Sequence, residues 1–451
     1  MQVYEELAAQ VRQHLETADD EGLRALLLTL RPADVAEILA ELPEGEPRGR
    51  VLALLEPAAA ARVMEESSFD VQRDLLRLMA PERLQAVLER MSQDDLADML
   101  GAMPAADARM LLNLIPEDAA AIRQLLRYDP DTAGGIMTPE LVRLRETQTA
   151  AEALATIRLA APDAETVYYL YVTDRAGRLV GVVSLRQLVV ADPDTPVGEL
   201  MDRNVVSVPV HMDQEEVARV LERYGLLALP VINDRHVLLG VVTVDDVIEV
   251  LREEATEDIH RLGATEPLEQ PYLQTGFLSL VRARVFWLLL LFVLQSVTIT
   301  IMNYYQAALE RVIALAFFIP LLIGTAGNAG GQAATLVIRA MAVGELKFTD
   351  FFRVLWREAT VGLTLGVVMA LASLGRAAFM GTPAAIGVTV AVTVVLVVAV
   401  ASVGGGLLPL VIQRLRLDPA VAASPLITTL ADASGLIIYF TVAGWILGLS
   451  V

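Results

Sequence analysis

Asp432 is the residue whose surroundings most need a chemical explanation. It stands in Pro425-Leu-Ile-Thr-Thr-Leu-Ala-Asp432-Ala-Ser-Gly435, inside a long apolar segment. A carboxylate within a bilayer costs about 2.5–3.5 kcal/mol even on lenient insertion scales, so it demands a partner. An intramembrane salt bridge is the plain structural answer, but no Lys or Arg sits deep enough in any apolar segment to make one. A cation that enters and leaves is the functional answer, with Thr428 and nearby hydroxyls as further oxygen ligands. A second apolar segment holds Gly324-Thr-Ala-Gly327-Asn-Ala-Gly330-Gly331-Gln332. Small residues there pack helices closely. Asn328 and Gln332, however, fall one helical turn apart on one face. Lining a water-filled path, they would meet a hydrated ion. In a dimer, two copies of Asp432 meet around one cation on the axis. Mg2+ dehydrates reluctantly and is commonly held by one or two carboxylates while keeping several waters.

Carboxylates also crowd the rest of the chain. One run holds Asp245, Asp246, Glu249, Glu253, Glu254, Glu257 and Asp258; the others are Asp213, Glu215, Glu216 and Glu222, and Asp94, Asp95 and Asp98. The spacing 246, 249, 253, 257 keeps acids on one helical face, where like charges repel. A solvated acidic helix accounts for any one run; three of them beside a membrane carboxylate point to divalent-cation sensing. The whole chain carries −21, yet the part after Leu280 has six acids and ten basic residues, leaving −25 on the first 280 residues. Such a surface repels nucleic acid and anionic lipid. With no cysteine there is no thiolate metal site, disulfide or Cys nucleophile. Oxygen ligands for hard cations remain.

These residues need elements to hold them. Residues 1–130 read as short amphipathic helices separated by prolines at 32, 57, 81, 104 and 116, an all-α stack of helical hairpins. Residues 137–262 contain an internal repeat, opening Met137-Thr-Pro and Met201-Asp-Arg. Each copy continues strand–helix–strand–strand–helix, as in Tyr171-Val-Thr with Gly181-Val-Val-Ser184 and Leu229-Pro-Val-Ile with Gly240-Val-Val-Thr243. This order resembles a tandem α/β pair of CBS domains, the first copy at 131–200 and the second at 201–262, with 243–262 leading into a connecting helix. A linker follows at 263–280. The segment 281–451 reads as a transmembrane domain of five helices near 283–304, 312–339, 354–380, 384–412 and 421–449. Arg282 and Arg284, then Arg339, Lys347, Arg353 and Arg357, then Arg414 and Arg416 mark the cytosolic ends. The expectation is a multi-pass plasma-membrane protein with its amino terminus in the cytosol and its carboxyl terminus outside. Met1-Gln-Val-Tyr-Glu-Glu has no signal-peptide character.

Taken together, Asp131-Thr-Ala-Gly-Gly-Ile-Met-Thr-Pro139, Ala255-Thr-Glu-Asp-Ile-His260, the glycine run 324–332 and Pro425 to Gly435 resemble the MgtE family of CBS-domain-containing magnesium channels, across essentially the whole chain. The resemblance implies a homodimeric, non-enzymatic Mg2+ channel with its pore lined by the second and fifth membrane segments and Asp432 on the permeating ion. It implies sensing ligands at Asp94, Asp98, Asp213, Glu215, Asp246, Glu249, Glu254, Glu257 and Asp258, with Asp418 at the membrane face. It also implies ATP between the CBS copies, at Thr243, Asp246 and Arg186. In the first copy the motif ends at Gln187, so one expected acid is missing. Other departures are Ala326 and Gly331 for a glycine and an asparagine, Gly225 for a sensing aspartate, and Arg62 for a glutamate, where a pair with Asp98 would replace a bound metal by a fixed cation. The implied mechanism is negative feedback: cytosolic Mg2+ relieves carboxylate repulsion and closes the pore. Two alternatives stay open on the residues alone, an intramembrane aspartyl-type hydrolase and a CBS-regulated anion channel.

Overall fold

The computed structural model describes residues 2–160, 166–268, 272–273, 275–415, 417–419 and 424–449; Arg416 and the start of the fifth expected membrane segment, 421–423, lie outside them. The chain divides into two units, Met1–Arg252 and Glu253–Val451, each with its own core.

The first unit opens with ten short helices among the described residues: α1 (Gln2–Glu16), α2 (Asp20–Leu27), α3 (Pro32–Glu41), α4 (Glu46–Leu54), α5 (Pro57–Glu65), α6 (Phe69–Leu78), α7 (Pro81–Leu88), α8 (Gln93–Gly101), α9 (Ala105–Leu112) and α10 (Ala119–Leu125). Pro32, Pro57 and Pro81 each take a first helical position, where the missing N–H costs nothing. Pro104 caps α9 instead, and Pro116 lies in the turn ahead of α10, whose N-cap is Asp118. Apolar residues at helical spacing bury one face of each hairpin, with Leu39, Met64, Leu88 and Leu96 almost wholly enclosed.

Two three-stranded sheets follow. The first is β1 (Leu141–Leu144), α11 (Ala150–Ala160), β2 (Thr166–Thr173), β3 (Leu179–Ser184) and α12 (Leu185–Val190), then a short α13 (Val197–Leu200). The second is β4 (Val208–Pro209), α14 (Gln214–Tyr224), β5 (Ala228–Ile232), β6 (Leu238–Thr243) and α15 (Val244–Leu262). In each sheet the first two strands run parallel, joined through a helix, and the last two antiparallel. This is the repeat expected of the CBS pair. All five residues of β5 are buried, as both faces of a covered strand should be.

Among the described residues the second unit carries five helices long and apolar enough to span a bilayer. They are α16 (Phe277–Tyr304), α18 (Ile319–Ala342), α19 (Phe351–Phe379), α20 (Ala384–Arg414) and α21 (Ser424–Leu447), with a short α17 (Gln306–Arg311) after the first. Small residues set their spacing. A Cβ on Gly405 of α20 would lie 2.1 Å from the Gly330 carbonyl of α18, so only glycine lets these backbones touch. One turn earlier α18 packs Gly327 against Thr428 of α21.

Candidate functional site

α21 places Asp432 where it is only 6 % exposed. No cationic side chain pairs with it among the described residues. Its one recorded partner is neutral: Gln295 Nε2 of α16 donates to Asp432 Oδ2 at 3.4 Å. The carboxylate therefore has a positioning contact but no compensating charge. Thr428, one turn earlier, points its hydroxyl back to the Pro425 carbonyl at 2.8 Å. Asn328 and Gln332 are exposed on α18 and make no recorded side-chain hydrogen bond, while Gly327, Gly330 and Gly331 are buried. The glycine run thus has both expected characters: a packed face, and a polar face that the chain leaves open. None of Asn328, Gln332 or Thr428 hydrogen-bonds Asp432 within the chain. Gly331, three residues after Asn328, is buried.

In the first unit a second carboxylate group forms from distant segments. Ser92 caps α8, its hydroxyl donating to Asp95 Oδ2 at 2.5 Å while its N–H donates to Glu65 Oε1 at 2.8 Å. Asp94 Oδ1 is buried without a hydrogen-bond partner. Thr243 Oγ1 donates to Asp246 Oδ2 at 2.6 Å at the start of α15. Burial, reinforced by mutual repulsion, raises the pKa of these acids. Asp95 is pushed up to about 8, against Asp94, Glu65 and Asp246, and Asp246 to about 6, against Asp94 and Asp245. Burial also lifts Asp94 and Glu65, the latter offset in part by Arg62 one turn away. Sequence reading named Asp94, Asp98 and Asp246; it missed the role of Asp95, which its run contained, and Glu65 altogether. The Ser92–Asp95 spacing is an ordinary cap signal, and nothing local marks Glu65. Asp98 and Glu249 are exposed. Among the described residues no three acids or histidines converge closely enough to hold a metal ion. The group is a set of crowded, half-buried acids.

The remaining expected ligands separate. Asp213 caps α14, accepting from the Glu215 and Glu216 amides, and Glu215 pairs with Arg219 at 2.5 Å. Both have structural employment. Gly225 ends α14 at φ +61°, so an aspartate there would sit strained in the left-handed region. On α15, Glu254 and Asp258 are half-buried. Arg261 reaches both Glu257, one turn back, and Asp418. Those two acids already share a cation, which the sequence reading overlooked although Arg261 follows Glu257 by four residues.

The residues expected at a nucleotide lie in two places. Arg186 lines a cleft of about 450 Å³ with Tyr168, Tyr169, Leu185, Val189 and Leu227. Thr243 and Asp246 are not among its lining residues; they bond each other beside Asp94. Arg186 and Ser184 are the polar residues lining this largely apolar and aromatic cleft.

Comparison with known proteins bears on the whole chain. Residues 319–442 match the model of MgtE, a divalent cation transporter; residues 30–131 match the MgtE intracellular N domain; residues 133–194 and 197–253 match the CBS domain. The chain is 45% identical over 443 residues to the magnesium transporter MgtE of Thermus thermophilus, covering 97% of this chain and 98% of that one. It is 33% identical to the magnesium transporter MgtE of Bacillus subtilis, covering 98% and 97%. Among solved structures, the cytosolic domain of the Mg2+ channel MgtE in complex with ATP matches with a TM-score of 0.52 at 45% identity, spanning 54% of this chain and 99% of that one.

Proposed function

Because this chain belongs to the MgtE family of divalent cation transporters, we propose that it is a homodimeric channel admitting Mg2+ down its electrochemical gradient and closed by Mg2+ on the cytosolic face. Family membership sets aside the intramembrane hydrolase. The observation that carries the proposal is Asp432, a buried carboxylate in a membrane-spanning helix with an amide for its one recorded partner. Brought together on a dimer axis, two such groups hold one hydrated divalent ion. The open polar face of α18, with Asn328 and Gln332, then lines the path. A membrane potential contributes about 2.3 kcal/mol per charge per 100 mV, so a divalent ion needs no ATP to enter. An anion pathway would call for cationic groups at this depth, and the site offers a carboxylate.

The crowded acids supply the gate. Glu65, Asp94, Asp95 and Asp246 repel at low Mg2+; Asp98, Asp213, Glu215, Glu249, Glu254, Glu257, Asp258 and Asp418 extend the acidic surface. Two like charges ~4 Å apart cost about 4 kcal/mol at an effective dielectric near 20. A few such contacts exceed the ~5.5 kcal/mol that moves an equilibrium from 1:99 to 99:1. Bound Mg2+ reverses their sign and draws α15 into its closed position. ATP binds the Arg186 cleft, whose lining includes tyrosine. The helical and CBS domains face the cytosol, with the carboxyl terminus outside.

Mg2+ uptake into proteoliposomes, with Mg2+ on the cytosolic face varied, tests this. Uptake should fall as that Mg2+ rises. Uptake indifferent to it would overturn the gate, and no uptake at any level would overturn the channel.

Arg261 modulates the same response. As a tethered cation on Glu257 and Asp418 it competes with Mg2+ for them. Arg261→Gln should lower the Mg2+ level that half-closes the channel by about fivefold, the ~1 kcal/mol of a partly exposed ion pair. A midpoint equal to the parent's would leave Arg261 a structural bridge.

A further inference from the structure

The first membrane helix reaches the ion site through one side chain. Of the polar residues Gln295, Ser296, Thr298 and Thr300 in α16, the last three turn their hydroxyls to carbonyls of their own helix, at Phe292, Gln295 and Ser296. Only Gln295 of these four sends its donor to another helix, to Asp432 Oδ2 at 3.4 Å. α16 is otherwise loosely packed within the chain, burying only Ala283 and Thr298. An amide on such a helix has few neighbours to satisfy it, and the carboxylate is the one recorded.

We propose that Gln295 is a positioning residue that sets ion preference at Asp432; this rests on reading Asp432 as the ion site. One amide N–H holds Oδ2 and leaves Oδ1 facing the ion. The carboxylate then meets a cation through one oxygen, and the glutamine carbonyl is free to accept from the cation's water shell. That arrangement suits an ion that keeps its waters, as Mg2+ does. Ca2+ takes six to eight oxygens and often both oxygens of a carboxylate. It gains from an Asp432 that is free to turn. Gln295 therefore disfavours the dehydrated, two-oxygen mode and favours the hydrated ion.

The test measures, in proteoliposomes of the full chain, the Mg2+ level for half-maximal uptake and the Ca2+ level for half-block. The proteins are the parent, Gln295→Leu, Gln295→Glu and Gln295→Asn. Loss of the amide in Gln295→Leu should strengthen Ca2+ block relative to Mg2+ uptake by about tenfold, equivalent to about 1.4 kcal/mol. Gln295→Glu, offering a second carboxylate, should shift the ratio the same way; Gln295→Asn should return it toward the parent. A helix that merely lost packing would lower total uptake and leave the ratio alone. An unchanged ratio in Gln295→Leu overturns the proposal. Should Gln295→Leu fail to insert, a parental ratio in Gln295→Glu overturns it equally. Asp432→Ala, run alongside, separates the two readings. Parental uptake in Asp432→Ala removes the ion site itself, whereas lost uptake there with a parental ratio in Gln295→Leu removes only the role of Gln295.

Discussion

Asp432→Ala is expected to reduce Mg2+ uptake at least a hundredfold without preventing insertion of the protein. The expectation follows from charge. A carboxylate and a divalent ion about 5 Å apart attract by about 6–7 kcal/mol at an effective dielectric near 20. If water in the pathway screens away half, about 3 kcal/mol remains, which is a factor above one hundred in occupancy. The effect is doubled in principle, because each dimer loses two carboxylates. Asp432→Glu keeps the charge but moves it by one methylene and should conduct with altered ion preference. Asn328→Leu, on the exposed face of α18, removes one neutral oxygen from the path and should cost less, about three- to tenfold. Uptake of Mg2+ followed by an encapsulated indicator orders the three. Full uptake by Asp432→Ala would mean that the buried carboxylate serves packing, and the pathway would have to be sought elsewhere.

Much of the fold was legible because the relevant signals are local and repetitive. Five apolar segments, a sixty-residue repeat and prolines at helix starts all follow from short-range rules, and the structure's membrane helices overlap each expected segment. Asp432 was legible for the opposite reason, as the violation of a local rule: an acid where apolar residues belong. What sequence did not reveal depends on long-range approach. Gln295 is an unremarkable polar residue until α16 and α21 meet. Glu65 belongs to α5 and gains meaning only beside Ser92 and Asp95. Asp213 and Glu215 went the other way. They sit in an acidic run, yet one caps α14 and the other pairs with Arg219, so a run of like charge contained residues with local work to do. Within the chain Thr243 gives its hydroxyl to Asp246, a contact that their spacing of three residues at a helix start makes local.

The acidic group around Asp95 leads to an expectation in which two measurements move in opposite directions. Asp95 rises from 3.8 to about 8 and Asp246 from 3.8 to about 6, first by burial and then by repulsion from neighbouring acids. With folded-state values above the unfolded one, the folded form binds more protons between those limits. The stabilising contribution is therefore complete below about pH 4 and is lost as pH rises through 6 and then 8. In Mg2+-free buffer the cytosolic unfolding transition of the full chain should drop by roughly 2–8 °C between pH 5 and pH 8, about 1–2 kcal/mol after allowing for partial exposure. Mg2+ replaces the lost protons, so saturating Mg2+ should flatten this slope. Asp95→Asn removes the group with the larger shift. At pH 8 without Mg2+ it should raise the transition, because a repelling charge is gone. The same substitution should increase the Mg2+ needed to half-close the channel, because a ligand is gone. An acidic cluster with only a structural role could give the first result but has no reason to give the second. If Asp95→Asn is stabilised and still closes at the parent's Mg2+ level, the acids store repulsion that the gate does not use, and sensing must rest on the α15 acids and Asp418 instead.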